Sequence, residues 1–173
     1  MSRKHWLVAS LMWAAAGFLF PWLTPATAWL SEGLQPSLTA SAGMPEELAY
    51  RVAFTIFRVP LTALLAIVVA VAQGALLHGV RPVARRWIIA AAVGASISTL
   101  IYLPTTLVAQ QIAGNDYDRI RTLLLMLGAG LFAGLVTFAQ WRAVRLRAVV
   151  PAQYVVASIL AAGVGILGEL ARR

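Results

Sequence analysis

The 173-residue sequence contains no cysteine, which removes disulfides, thiolate metal centres and cysteine nucleophiles from consideration. Charge is scarce as well: Asp, Glu, Lys and Arg make up 12% of the chain, about half their usual share in soluble domains. Only six residues are acidic, and none falls in the interior of a long apolar run. A carboxylate proton relay and an intramembrane aspartyl protease both need such residues, so both are disfavoured. Ser96, Ser98 and Thr99 have no His or Lys nearby to serve as a base, and no phosphate loop, metal-ligand spacing or dinucleotide fingerprint occurs. These gaps point away from an enzyme.

What the chain has in abundance is hydrophobic residues, 61% of the total. A soluble protein with so little polar surface would aggregate, so the expected environment is lipid and the expected fold is an all-α integral membrane helical bundle. Five spans are predicted, at about 6–23, 59–78, 87–109, 120–141 and 152–169, in one membrane domain covering residues 1–173. The first run could also be a cleaved signal peptide, because Ala26-Thr27-Ala28 follows a basic start. Bulky Trp13, Phe18, Phe20 and Trp22 favour a retained anchor. Residues 31–44 are rich in turn formers and read as an outer loop. Pro45-Glu46-Glu47 then starts a helix, with acids at its positive end and Glu47 placed to pair with Arg51 four residues on. That helix is too long for the bilayer, so its first part, through Arg58, is expected at the interface with Arg51 and Arg58 in water. The fifth span is short for a perpendicular crossing.

The charges give these spans an orientation. Segments around Arg3-Lys4, Arg81-Arg85-Arg86 and Arg142-Arg145-Arg147 hold eight basic residues and no acid. The alternate segments balance six acids against six arginines. Lys and Arg in short loops stay cytoplasmic, which predicts a bacterial inner-membrane protein with its N-terminus inside and C-terminus outside. Trp6, Trp87, Trp141 and Tyr154 would mark the inner interface, and Trp22, Trp29 and Tyr50 the outer. The six arginines of the two inner turns (Arg81, Arg85, Arg86, Arg142, Arg145 and Arg147) are candidates for anionic-lipid contact. They lack the dense basic face and stacking aromatics of a nucleic-acid binder.

A shift of 67 residues lays the second and third spans over the fourth and fifth, aligning Gln73 with Gln140, Val69 with Val136, and Trp87 with Tyr154. Such a match is consistent with a parallel duplication of a two-helix hairpin about an axis along the membrane normal. The stretch Ala139-Gln140-Trp141-Arg142-Ala143-Val144-Arg145, with its weaker partner Ala72-Gln73-Gly74-Ala75-Leu76-Leu77, resembles a recurring feature of small uncharacterised bacterial multi-spanning membrane proteins. In those, a Gln-Trp-Leu-Val-Leu-Arg-like turn ends one span and a Trp begins the next. The resemblance covers residues 60–168, Gly74 and His78 depart from it, and it implies no activity.

Small residues recur every fourth position, and Gly74, Gly94, Gly130, Gly134 and Gly165 are the expected points of close helix packing. Gln73 and Gln140 are the candidate intramembrane polar residues, most simply a structural clamp between helices. His78 is the one candidate ligand for a haem or pigment, with a merely solvated imidazole as the simpler alternative, and no cofactor besides lipid is expected. The function expected is that of a non-catalytic accessory or scaffold subunit of a larger respiratory or photosynthetic membrane complex, with lipids and other membrane subunits as partners. The alternative is a small oligomeric transporter or channel for a neutral or lipidic solute. A water-lined row of Gln73, Gln140, Ser96, Ser98 and Thr99 would mark the alternative.

Overall fold

The computed structural model describes residues 3–77, 84–113, 117–144 and 151–172. The chain is an all-α helical bundle: α1 (Arg3–Leu19), a 3-10 turn (Phe20–Trp22), α2 (Leu23–Ala42), α3 (Glu46–Leu76), α4 (Ala84–Ala113), α5 (Tyr117–Val144) and α6 (Gln153–Arg172). Four stretches are long and apolar enough to cross a membrane: His5–Ala42, Glu46–Leu76, Ala84–Thr106 and Ile120–Val144. Gln153–Glu169 is a shorter apolar stretch, within a helix of 20 residues, or about 30 Å.

Five helices form a ring in the order α1, α3, α4, α5, α6, and α1 closes it by packing on both α6 and α3. Trp6 of α1 lies against Tyr154 of α6, and Gly17 against Ala162, so these two neighbours run parallel. The interior is built largely from alanine: Ala66, Ala91, Ala95, Ala129 and Ala133 are fully buried. Small side chains bring backbones close enough for dispersion to hold helices together where lipid is as apolar as the core. The outward positions carry Leu64, Val68, Val71, Val156, Leu160 and Val164, all exposed.

Residues 31–42, expected as loop, are helical. Pro25 sits in the first turn of α2, where its missing N–H costs nothing, and Pro36 is carried inside the helix. The hydroxyls of Thr27, Ser31, Thr39 and Ser41 return to the carbonyl four residues earlier, so the polar residues that suggested turns are satisfied along the helix itself. Only Gly43, at φ 62°, stops it, in the left-handed conformation glycine adopts without penalty. α2 folds back on α3 as an antiparallel hairpin. Its buried positions Thr27 and Ser31 and those of α3, Ala49 and Ala53, are small residues four apart. The expected Glu47–Arg51 ion pair forms near the tip. α3 has 31 residues, or about 46 Å, which exceeds a hydrocarbon core of about 30 Å.

The repeat has a structural counterpart. Gln73 and Gln140, 67 residues apart, hydrogen-bond to each other, and the rings of Trp87 and Tyr154, also 67 apart, lie 5.8 Å from centre to centre.

Candidate functional site

At the end of the ring where α3 and α5 finish and α6 begins, four helices are joined by a circuit of neutral hydrogen bonds. Trp13 Nε1 on α1 donates to the hydroxyl of Tyr154 on α6 (3.4 Å). That hydroxyl donates to Oε1 of Gln140 on α5 (3.1 Å). The Gln140 amide reaches Oε1 of Gln73 on α3 (3.5 Å), and Gln73 Nε2 donates to the Ala9 carbonyl of α1 (2.9 Å). The circuit thus returns to the helix it left, one turn away. All four side chains are at most 1% exposed. An unpaired amide or hydroxyl is costly in an apolar interior, so mutual bonding is what allows these groups to be there.

Gln73 and Gln140 therefore meet as the sequence indicates, while Trp13 and Tyr154 were not foreseen as their partners. Trp6, Trp87 and Tyr154 stand at the expected level but turn inward, packed on one another with centroid distances of 5.3 to 6.2 Å. Ser98 and Thr99 are buried and bonded to the Ala95 carbonyl, and Thr99 also pairs with Thr62 at 2.7 Å. Ser96, half-buried, bonds to the Ala92 carbonyl.

The glycines divide. A Cβ on Gly94 would stand 2.7 Å from Val136 Cα, and one on Gly134 3.1 Å from Ile159 Cδ1. Gly130 leaves ordinary contact distance to Ile159 (3.6 Å), and a Cβ on Gly165 would overlap the Ala14 carbonyl. At Gly74 no atom of the described residues lies within 4 Å of a would-be Cβ, so any close packing there is not against a described helix of this chain. Two close contacts were missed, Gly17 against Ala162 and Gly128 against the Tyr102 ring. Gly17 follows Ala14-Ala15-Ala16, a run of small residues that signals close approach.

Arg85, Arg86 and Arg142 are exposed. His78, Arg81, Arg145 and Arg147 lie outside the described residues, as does the turn 114–116. Among the described residues no three His, Asp or Glu side chains gather as metal ligands.

The opposite end of the ring holds a cavity among the described residues. A cavity of about 1060 Å³ lies between the α1–α2 junction and helices α3, α4 and α5. Arg58 lines it yet is only 2% exposed. This overturns the expectation that Arg58 stays in water. Arg58 lies within α3, and Phe20 of the neighbouring 3-10 turn covers the guanidinium. Arg58 Nη1 donates to Thr24 Oγ1 (3.3 Å), and its guanidinium lies 5.0 Å from the Phe20 ring centre, a cation–π contact. A sequence signal existed, since no acid stands three or four positions from Arg58 on its helix. Glu169, counted with the outer charges, is likewise buried at 1% on the last turns of α6.

Between the two ends runs an aromatic column. Tyr102 packs on Phe20 (5.9 Å), Phe20 on Phe132 (5.6 Å), and Phe132 on Trp13 (5.5 Å). The chain matches no protein-family model, no curated protein and no solved structure.

Proposed function

We propose that the chain is a non-catalytic, multi-pass protein of the bacterial inner membrane, N-terminus in the cytoplasm and C-terminus outside, acting as an accessory or scaffold subunit of a larger membrane complex. The observation that carries this reading is the inward closure of its polar residues. Gln73, Gln140, Ser98 and Thr99, which a pore would present to water, are buried and bonded to one another, to a neighbouring helix or to their own. An apolar exterior and the open face at Gly74, with exposed Ala72 and Ala75 beside it, suit contact with lipid and with helices of other subunits. The orientation rests on the eight-to-none bias of basic over acidic residues in the inner segments.

Purification in mild detergent tests the subunit role: membrane proteins should accompany the chain in fixed stoichiometry, and a clean homo-oligomer overturns it. Cysteines introduced as Ala84→Cys and Asn115→Cys should label from opposite sides of the membrane. Labelling from one side overturns the orientation.

The outer cavity favours the second reading, a small oligomeric transporter for a lipidic solute. Phe20, Phe132 and Trp13, each at most 2% exposed, fill the bundle between cavity and circuit, so the arrangement offers a binding site on one side without a path to the other. Flux of a lipidic solute across vesicles holding the protein alone would favour transport.

A further inference from the structure

We propose that the outer cavity binds an anionic amphiphile, its oxyanion headgroup held by Arg58 with Arg51 and Arg121, and its apolar part against Trp22, Phe54 and Leu124. This goes beyond the subunit role and stands independently of it.

Arg58 is the central group of this site. A guanidinium is always charged and carries five N–H donors in a planar fork. Here it is buried, yet its partners, a threonine hydroxyl and a phenylalanine ring, are both neutral. Among the described residues Glu47 pairs with Arg51, and no carboxylate pairs with Arg58. Burying an uncompensated charge is expensive, and ionisable groups inside membrane helices mark ligand or ion sites by default. Arg58 also lines the cavity, so a ligand entering there could supply the missing negative charge.

The cavity wall fits such a ligand in two respects. Arg58 and Arg121 contribute positive charge together with Arg51, whose partner is Glu47, and among the described residues no Asp or Glu lines the cavity. The hydroxyls of Thr24 and Thr122 supply further donors for oxyanion oxygens, whereas those of Thr55 and Thr106 already donate to the Arg51 and Leu103 carbonyls. Guanidinium forks match phosphate and carboxylate oxygens in bidentate fashion, which selects an oxyanion over a halide. The rest of the wall is aromatic and aliphatic, and Trp22, at its edge, is half exposed. A volume of about 1060 Å³ far exceeds the needs of a free phosphate or sulfate. It falls in the range of sites for larger, partly apolar molecules. An amphiphile satisfies both halves of the wall at once.

The test uses the full chain in neutral maltoside detergent, stripped of lipid. Dioctanoyl phosphatidylglycerol, dioctanoyl phosphatidylcholine and inorganic phosphate are each titrated, with binding followed by native mass spectrometry and by Tm. Phosphatidylglycerol should bind saturably and raise Tm, and the zwitterionic lipid should bind about tenfold more weakly. Inorganic phosphate matching phosphatidylglycerol would overturn the amphiphile and leave a soluble oxyanion. Equal binding of both lipids would overturn headgroup recognition.

Arg121→Gln, at an exposed rim position that should not disturb folding, is expected to weaken phosphatidylglycerol about tenfold, and wild-type affinity in it would overturn the arginine cluster. Arg58→Met separates a ligand role from a structural one. Without lipid its Tm should equal or exceed that of wild type, while phosphatidylglycerol no longer raises it. A large Tm loss in the lipid-free variant, with lipid affinity intact, would make Arg58 structural and overturn its role.

Discussion

The two ends of the helical ring handle polar groups in opposite ways. At the inner end, Trp13, Tyr154, Gln140 and Gln73 satisfy one another and close on the Ala9 carbonyl, so that no net charge enters the interior. At the outer end a full positive charge, Arg58, is buried against neutral partners beside a wide cavity. Groups that complete their own hydrogen bonds stiffen a fold and leave nothing for a ligand. A charge left uncompensated weakens the fold locally and creates a demand for a ligand. By this measure the inner end is structural and the outer end is where specific recognition is to be sought.

The largest effect should come from forcing the ring apart. Gly165→Ile would drive a side chain into the Ala14 carbonyl on α1, and a loss of about 3 kcal/mol is expected from overpacking. Thermal unfolding in detergent measures it. A neutral result would mean that α1 is not clamped on α6 and that the circuit has no rigid frame.

Cutting the circuit comes next. Gln73→Leu strands the Gln140 amide and removes the donor to Ala9, at an expected cost of about 2 kcal/mol. Replacing both glutamines with leucine should cost less than the sum of the single changes, because paired removal leaves fewer orphans. Strict additivity would show that the two amides do not work as a unit and would blur the contrast with the outer end.

Smaller effects sharpen the comparison. Glu47→Gln breaks an exposed i, i+4 ion pair, worth less than about 0.5 kcal/mol and fading with salt. It serves as a baseline for surface charge beside the buried Arg58. Gly74→Ile should leave the stability of the isolated chain within about 0.5 kcal/mol. If the open face of α3 receives a partner helix, the same change should abolish co-purification, and unchanged partners would separate that face from the complex.

Much of the fold was legible because lipid solubility, charge bias and helix length are properties of the sequence alone. The start at Pro45, the Glu47–Arg51 pair and the 67-residue offset all have structural counterparts. The error at residues 31–44 arose from treating Ser, Thr and Pro as turn formers, when the hydroxyls bond within a helix and Pro36 is tolerated there. Gly74 meets no described neighbour, because an i, i+4 row names a helix face without naming what it packs against. Arg58 was misjudged because snorkelling depends on open space toward water, and the Phe20–Trp22 turn occupies it.

An all-helical, apolar chain, the segments in which its basic residues gather, and the glutamines most costly to leave unpaired can all be read along the chain. Those outcomes follow from composition and spacing, which act along the chain. Only the tertiary structure decided that Tyr154 and Trp13 complete the glutamine pair, that α1 closes the ring, and that Arg58 is sealed beside a cavity. Each of these joins groups from helices far apart in sequence, and their meeting depends on how the backbones pack rather than on any local pattern.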